Sequence, residues 1–393
     1  MAVLTGTRVH RGEILFPFCN CLLIWRHPVR LMTGGAELCG FCVRESLVLR
    51  AAGAAALMTA IGCTHVSPRI VVRDRFDYGQ SVAESWKRQM LLNVVRIRYA
   101  DAPVFMDVTS VILSYTVLEN ANAAANLFSS GSPNEVTLGA SGSFANTPTI
   151  TYQPLTGDKF MKNMLRPIPP AGVFQLLQAG WSAEMLLRIS VGTINGLRNE
   201  FRGTPADPRF DQLVAAASRL QRAGGLNIRI EQQKDGEAAI MALPIPPGAS
   251  TMSADRSEVQ RLLGIEPGAT EYSLTFGLTP RSPTEVAVQT RSMIEIMEEF
   301  GVGIDVPDAD RTEGRVLPTL VPGGAPASQL VHVLSGPSAP ANAYASIPYR
   351  GRWYWVDDRD LTSKVRFTLL MILSSLAESG TTPITPVITV PSR

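Results

Sequence analysis

The sequence predicts an α+β fold in which mixed or antiparallel sheets pack with helices, and three observations predict it. Segments with helical spacing and segments with strand alternation follow one another without the regular strand–helix–strand period of a parallel sheet. One stretch, 104–153, is rich in β-branched and aromatic residues, then alternates, and is nearly free of charge, which predicts a single long β-hairpin. The composition is that of a globular chain, with 45% apolar and 18% charged residues. The 393 residues are enough for a large core and for two or more domains. A net charge of +2 gives no electrostatic basis for binding nucleic acid. No run of eighteen apolar residues exists, so no ordinary transmembrane helix is expected.

All five cysteines, Cys19, Cys21, Cys39, Cys42 and Cys63, fall in the first 63 residues. A region without cysteine needs no disulfide and offers no thiol to oxidation, which suits an exported protein. The segment 44–63 reads RESLVLRAAGAAALMTAIGC. Arg44 and Arg50 supply a positive front, Ala51 to Ile61 is uncharged and apolar or small, and Ala60-Ile61-Gly62-Cys63 closes it. A charged start, a short apolar centre and a small-residue end make a secretory signal. With cysteine directly after glycine, the segment resembles a bacterial lipoprotein signal with its lipobox, Ala60 standing where leucine is usual.

That resemblance covers residues 44–63 and identifies a processing class rather than a fold. It implies cleavage between Gly62 and Cys63 and diacylglycerol on the Cys63 sulfur. The apolar run is shorter than the ~20 residues a spanning helix needs. The several acyl chains of a mature lipoprotein would anchor firmly where a single chain is marginal. Thr64 follows the cysteine where aspartate would direct retention, so by analogy the anchor belongs in the outer membrane. Residues 1–43 then read as a start assigned too far upstream, with Val43 a candidate initiation site. Read literally, Cys19-Asn-Cys21 and Cys39-Gly-Phe-Cys42 would instead be a four-cysteine zinc site or a redox pair.

Residues 63–80 are expected to be anchor and extended linker. Ser81-Val-Ala-Glu84 reads as a capping box, opening a helix to Arg98 through Trp86, Met90, Leu91 and Val94. Pro103 ends it. Val104 to Leu118 reads as strand, Glu119 to Asn134 as a small, polar loop, and Glu135 to Gln153 as the returning strand. Between Asn120 and Gly157 the only charged side chain is Glu135. Thr156 caps a helix to Leu165, Pro167 to Pro170 breaks it, and Ala171 to Gly180 is a second helix. Glu184 to Asn195 fits strand or helix.

Asp207-Pro208 is a cap followed by proline at the first helical position; it opens a helix that Gly224-Gly225 stops. Leu226–Gln232 and Ala238–Pro244 read as a strand pair, Ser253–Leu263 as helix and Tyr272–Leu278 as strand. Ser282-Pro-Thr-Glu285 reads as a helix start, continued through Val286, Val288, Met293, Ile294 and Phe300. Gln329–Leu334, Ala343–Pro348 and Gly351–Val356 read as strands. Asp358 or Asp360 caps a buried helix through Leu361 and Leu376, and Ile384–Val390 is a last edge strand. Two regions, 81–200 and 201–393, are expected.

Little in this sequence points to catalysis. The only histidines after the signal are His65 and His332, and no cysteine follows Cys63, so Cys–His nucleophiles and Cys/His zinc clusters have no residues to use. No GxSxG elbow is present. Gly139-Ala-Ser-Gly142 lacks the lysine of a phosphate loop. Asp357, Asp358 and Asp360 cluster before the last helix, where capping is the simpler role than acid–base or cation chemistry. Glu298-Glu299 reads as a solvated helix face. The best binding candidates are Tyr349, Arg350, Arg352, Trp353 and Trp355. On a strand the two tryptophans share one face and the two arginines the other, able to stack on sugars or peptides; core packing is the plainer alternative.

The expected function is therefore that of a non-enzymatic, periplasm-facing lipoprotein of the outer membrane, without cofactor or catalytic metal. Its partners would be the membrane, through the anchor, and other envelope proteins or glycans; self-association is open. A second reading makes it one subunit of an export channel, because both arms of the 104–153 hairpin exceed the ~9–11 residues of a transmembrane strand. Such an assembly would resemble the multi-subunit exporters built from lipoproteins, such as the curli secretion channel, in anchor and hairpin alone. A third reading is a carboxylate-based hydrolase of envelope polymers, using the aspartates before the last helix.

Overall fold

The computed structural model describes residues 68–112, 115–126, 135–146, 148–233, 236–244, 250–318 and 329–378. The signal, Cys63, the four upstream cysteines and the strand expected at 384–390 lie outside them. The fold is α+β with mixed and antiparallel sheets, and residues Arg73–Arg393 group as one unit by their contacts. Helix α1, Pro68–Arg98, is much longer than the sequence pattern indicated. Pro68 opens it, where a missing N–H is harmless. The expected linker is therefore helical from residue 68 onward. Ser81 is an interior residue whose hydroxyl donates to the Asp77 carbonyl at 2.8 Å, and Glu84 pairs with Lys87 and Arg88. The capping-box pattern thus marks a solvated helix face. Its buried apolar side chains, among the described residues, lie in the C-terminal half: Met90, Leu91, Val94, Val95 and Ile97. Ala100, at φ 56°, turns the chain out of the helix.

The hairpin follows. Strand β1 (Met106–Ile112) pairs antiparallel with β4 (Thr149–Pro154), and β2 (Tyr115–Asn126) with β3 (Glu135–Asn146) in unbroken register from Tyr115↔Asn146 to Asn126↔Glu135. The expected loop from residue 119 is thus strand as far as Asn126. Asn and Ala are poor strand formers, but twelve consecutive backbone pairings outweigh that bias.

Next come α2 (Gly157–Phe160), a π-helical turn (Met161–Leu165) and α3 (Pro170–Gln178). The ambiguous stretch after residue 183 is both structures in turn: α4 (Ala183–Ser190) runs directly into β5 (Val191–Ile194). Strand β6 (Leu197–Arg198), helix α5 (Pro208–Arg222), β7 (Asn227–Gln233), β8 (Gly236–Ala242), helix α6 (Ser250–Leu263), β9 (Glu271–Phe276) and β10 (Glu285–Thr290) complete a six-stranded sheet. Its order is β6-β5-β10-β9-β8-β7, antiparallel except for the β9–β10 pair. The sheet draws strands from both sides of residue 200, so the expected division there runs through it.

Residues 285–290, expected as helix, form a buried strand. Val286, Ala287 and Val288 are fully covered, and β-branched residues suit a central strand better than a helix turn. The true capping box lies further on, at Ser292 and Glu295, and opens α7 (Met293–Gly301). Helix α8 (Asp308–Thr312), β11 (Leu334–Gly336), β12 (Ala343–Tyr349), β13 (Arg352–Asp357) and α9 (Leu361–Glu378) follow, with a three-stranded sheet ordered β11-β13-β12. Two hydrophobic cores result. One gathers α1, α7, α9 and the three-stranded sheet around Tyr354, Phe300 and Phe367; the other packs α5 and α6 on the six-stranded sheet around Phe210 and Tyr272.

Candidate functional site

The Tyr349–Trp355 segment is a tight hairpin of β12 and β13. Arg350 (φ 47°) and Gly351 (φ 76°) form its two-residue turn, both in the left-handed region that such turns require. Along β13 the core face belongs to Tyr354 and Val356, which are buried, while Trp353 and Trp355 are half-buried on the other face. Trp355 lies across Gly336 of β11, where an added Cβ would come within 3.1 Å of the indole. Arg352 falls on the core side, and its Nε is buried without a hydrogen-bond partner among the described residues.

Tyr349 and Arg350 are engaged inside the molecule. The Tyr349 hydroxyl and an Arg350 Nη2, at 2.9 Å, both donate to Asp101 Oδ2. The Asp101 carboxyl is held below its ordinary range, chiefly by the Tyr349 hydrogen bond, with burial opposing and Arg350 assisting. The Arg350 guanidinium also lies 4.9 Å from the Tyr99 ring centre. Tyr99 donates to Asp310 at 2.6 Å and meets the Tyr354 hydroxyl at 2.7 Å, and burial followed by the Asp310 bond pushes its ionisation far upward. These residues clasp the chain leaving α1 to the β12–β13 turn and α8.

The three aspartates are separately occupied. Asp357 accepts from the Arg359 amide at 2.8 Å, Asp358 pairs with Lys364 at 2.6 Å, and Asp360 caps α9 through the Ser363 amide at 3.0 Å and its hydroxyl at 2.6 Å. His332 stands 3.5 Å from Asp360. Among the described residues no three His, Cys, Asp or Glu side chains are arranged to hold a metal, and no helix is long and apolar enough to cross a membrane. Glu298-Glu299 is not a solvated face. Glu299 is 3% exposed, accepts from the Arg202 amide at 2.8 Å, and is pushed upward in pKa by burial against the pull of Arg291.

The most distinctive geometry is at the root of the long hairpin. Two amide side chains one helical turn apart on α1 grip the strand that enters it. Asn93 exchanges two hydrogen bonds of 2.8 Å with the backbone of Val104, and Gln89 exchanges bonds of 2.8 and 3.3 Å with that of Met106. Alternate residues of a strand present their backbone groups to the same edge, so the two amides act as a short substitute strand. The other edge is taken by the returning chain, where the Leu155 amide donates to the Phe105 carbonyl at 2.9 Å. Beyond this root, β1 has no strand neighbour but β4, and β2 none but β3, among the described residues.

The root is also apolar and wet. Every residue of β4 is exposed, and Val104, Met106, Ile112, Ile150, Tyr152, Met161 and Leu165 are seven of the fourteen exposed large apolar side chains among the described residues. A groove of about 330 Å³ between α1 and the root is lined by Trp86, Gln89, Met106, Val108, Tyr152 and Lys159. The sequence reading missed this mount, although Gln89 and Asn93 at helical spacing just before a strand were its visible trace. No protein-family model, curated protein or solved structure matches the chain.

Proposed function

We propose that the protein is a non-enzymatic lipoprotein of the outer membrane, anchored through Cys63, whose long hairpin joins it to further copies of itself. The observation that supports this most directly is the hairpin's isolation. A two-stranded ribbon is marginal in water on its own, and two open edges invite further pairing. Its root is clamped to α1 by Gln89 and Asn93, an attachment more rigid than an unused surface loop needs. Past the Gln89–Met106 contact, the outer edges of the two arms run in opposite directions, so strands β1 and β2 of one copy can pair with β3 and β4 of the next.

A second reading, a shared barrel serving as an export channel, is favoured by the length and charge of the ribbon. Its β2–β3 portion has twelve residues in each strand, more than the ~9–11 that span a bilayer. Lipid tolerates no open strand edge, so a single ribbon could enter only as part of a closed ring. With two strands per copy and eight strands in the smallest barrels, a ring needs at least about four copies.

The test is fractionation and intact mass after expression in a Gram-negative host, beside Cys63→Ala, followed by cross-linking in mild detergent. An outer-membrane product starting at an acylated Cys63 and running as a ladder of oligomers is expected. A soluble product retaining Met1 would overturn the anchor. A monomer that resists cross-linking at every concentration would overturn the assembly.

A further inference from the structure

The groove between α1 and the hairpin root has three walls. Trp86, half-buried, stands one turn before Gln89 on α1. On the ribbon, Val108 is the register partner of Tyr152, so their side chains share one sheet face, with Met106 two residues earlier on the same face. Lys159 and Asn163, four residues apart, form the third wall from α2 and the π-helical turn.

Asn163 is the informative residue. It is only 4% exposed, yet its side-chain amide has no hydrogen-bond partner among the described residues. That amide is not wholly sealed in the interior, and Asn163 lines the groove. Buried polar groups are normally satisfied, because one left without a partner costs stability. Asp107 and Lys159 also line the groove, and their side chains likewise lack a hydrogen-bond or ion-pair partner among the described residues. The lining thus offers a carboxylate acceptor, an ammonium donor and an amide that does both, beside two aromatic rings, with no net charge. A ligand matched to it is neutral, carries several hydroxyls and has an apolar ring face, and a pyranose has all three. An extended peptide fits less well: at Met106, Gln89 already bonds both the N–H and the carbonyl, so no strand edge is open there.

We propose that this groove binds a neutral hexose unit of a glycan, its ring against Trp86 and Tyr152 and its hydroxyls on Asn163, Asp107 and Lys159. An apolar wall with a few placed polar groups is the usual make-up of a small-molecule site. The site depends neither on the lipid anchor nor on the assembly of copies.

The test uses the full chain in a detergent without a sugar headgroup, titrated calorimetrically with glucose, cellobiose, N-acetylglucosamine and chitobiose, with glycerol as the control polyol. Saturable binding of at least one sugar, absent with glycerol, is expected. Trp86→Ala should weaken it roughly tenfold, and Asn163→Ala roughly three- to tenfold. Asn163→Ala gives up no side-chain hydrogen bond within the described chain, so its Tm should hold or rise, as it would not for a purely structural asparagine. Lys162→Ala, outside the groove, should bind as the wild type does. Oligomers that dissociate in Trp86→Ala while no sugar binds the wild type would give the groove to a second copy instead. No saturable heat with any of the sugars, or undiminished binding by Trp86→Ala or by Asn163→Ala, would overturn the site.

Discussion

The six-stranded sheet and the long hairpin are built from similar alternating sequence, yet they solve different problems. In the sheet, each inner strand has two neighbours, and α5 and α6 cover one face with Phe210, Leu213, Val259 and Leu263. Its stability is internal: within β10, Val286, Ala287 and Val288 are at 0% exposure. Among the described residues, each strand of the hairpin has one neighbour and every residue of β4 is exposed. Burial is the main favourable term for a sheet, and β4, exposed at every residue, obtains little of it. The contrast teaches that β4 draws little burial from its own chain, whereas the sheet is covered within it.

The sharpest way to break this comparison is to remove the ribbon. Deleting residues 113–147 and closing β1 to β4 with Asn-Gly is expected to abolish oligomers while leaving the cooperative thermal transition in place, read by cross-linking and circular dichroism. A collapse of the transition would mean that the cores depend on the ribbon. The sheet side is tested at Arg291, a residue 3% exposed whose guanidinium donates to the Arg188, Ile189 and Glu200 carbonyls beside the charge of Glu299. Arg291→Met strands those carbonyls and a buried carboxylate, so a loss of about 3–5 kcal/mol in denaturant unfolding is expected.

A smaller effect on the protomer, but a selective one, is expected from Ile150→Asp and Tyr152→Asp. Both side chains are exposed, at 38% and 54%, so each change should alter protomer stability by no more than about 0.5 kcal/mol. If copies bury these side chains, the same changes should dissociate oligomers in sedimentation velocity. Undisturbed oligomers would place the contact elsewhere. Gln89→Ala removes one amide from the mount and should cost about 1 kcal/mol, with faster amide exchange at Met106 as its local signature.

The contrast also explains what the sequence disclosed. Segments whose signals were local were legible: Asp207-Pro208 and Gly224-Gly225 bound α5 as read, and the strand pair after residue 226 is β7 and β8. Signals that compete with tertiary context misled. Ser282-Pro-Thr-Glu285 has the chemistry of a helix start, but the parallel pairing of β10 with β9 claims the next residues. Ser81 has the chemistry of a cap, yet the helix had already begun at Pro68. The β12–β13 segment was readable as aromatic strand, but the commitment of Tyr349 and Arg350 to Asp101, 248 and 249 positions away, was not.

The smallest expected effect concerns the clasp at the foot of the ribbon. Asp101 lies between α1 and β1, and its carboxylate receives the Tyr349 hydroxyl and Arg350. Its folded pKa is depressed, so the ionised form is what the fold favours. The linkage follows directly: the clasp contributes fully above the unfolded aspartate value of about 3.9 and is lost as pH falls through the lower folded value. With the carboxylate part-exposed, solvent screening keeps the contribution near 0.5 kcal/mol. Asp101→Asn should therefore be destabilised by that amount above about pH 5 and converge on the wild type in stronger acid. Amide exchange should speed at Phe105 and Met106 but not in β9 or β10, since the clasp holds the ribbon's root and not the sheet. A uniform loss across both regions would mean that the ribbon and the sheet share one cooperative unit, and the distinction between them would fail.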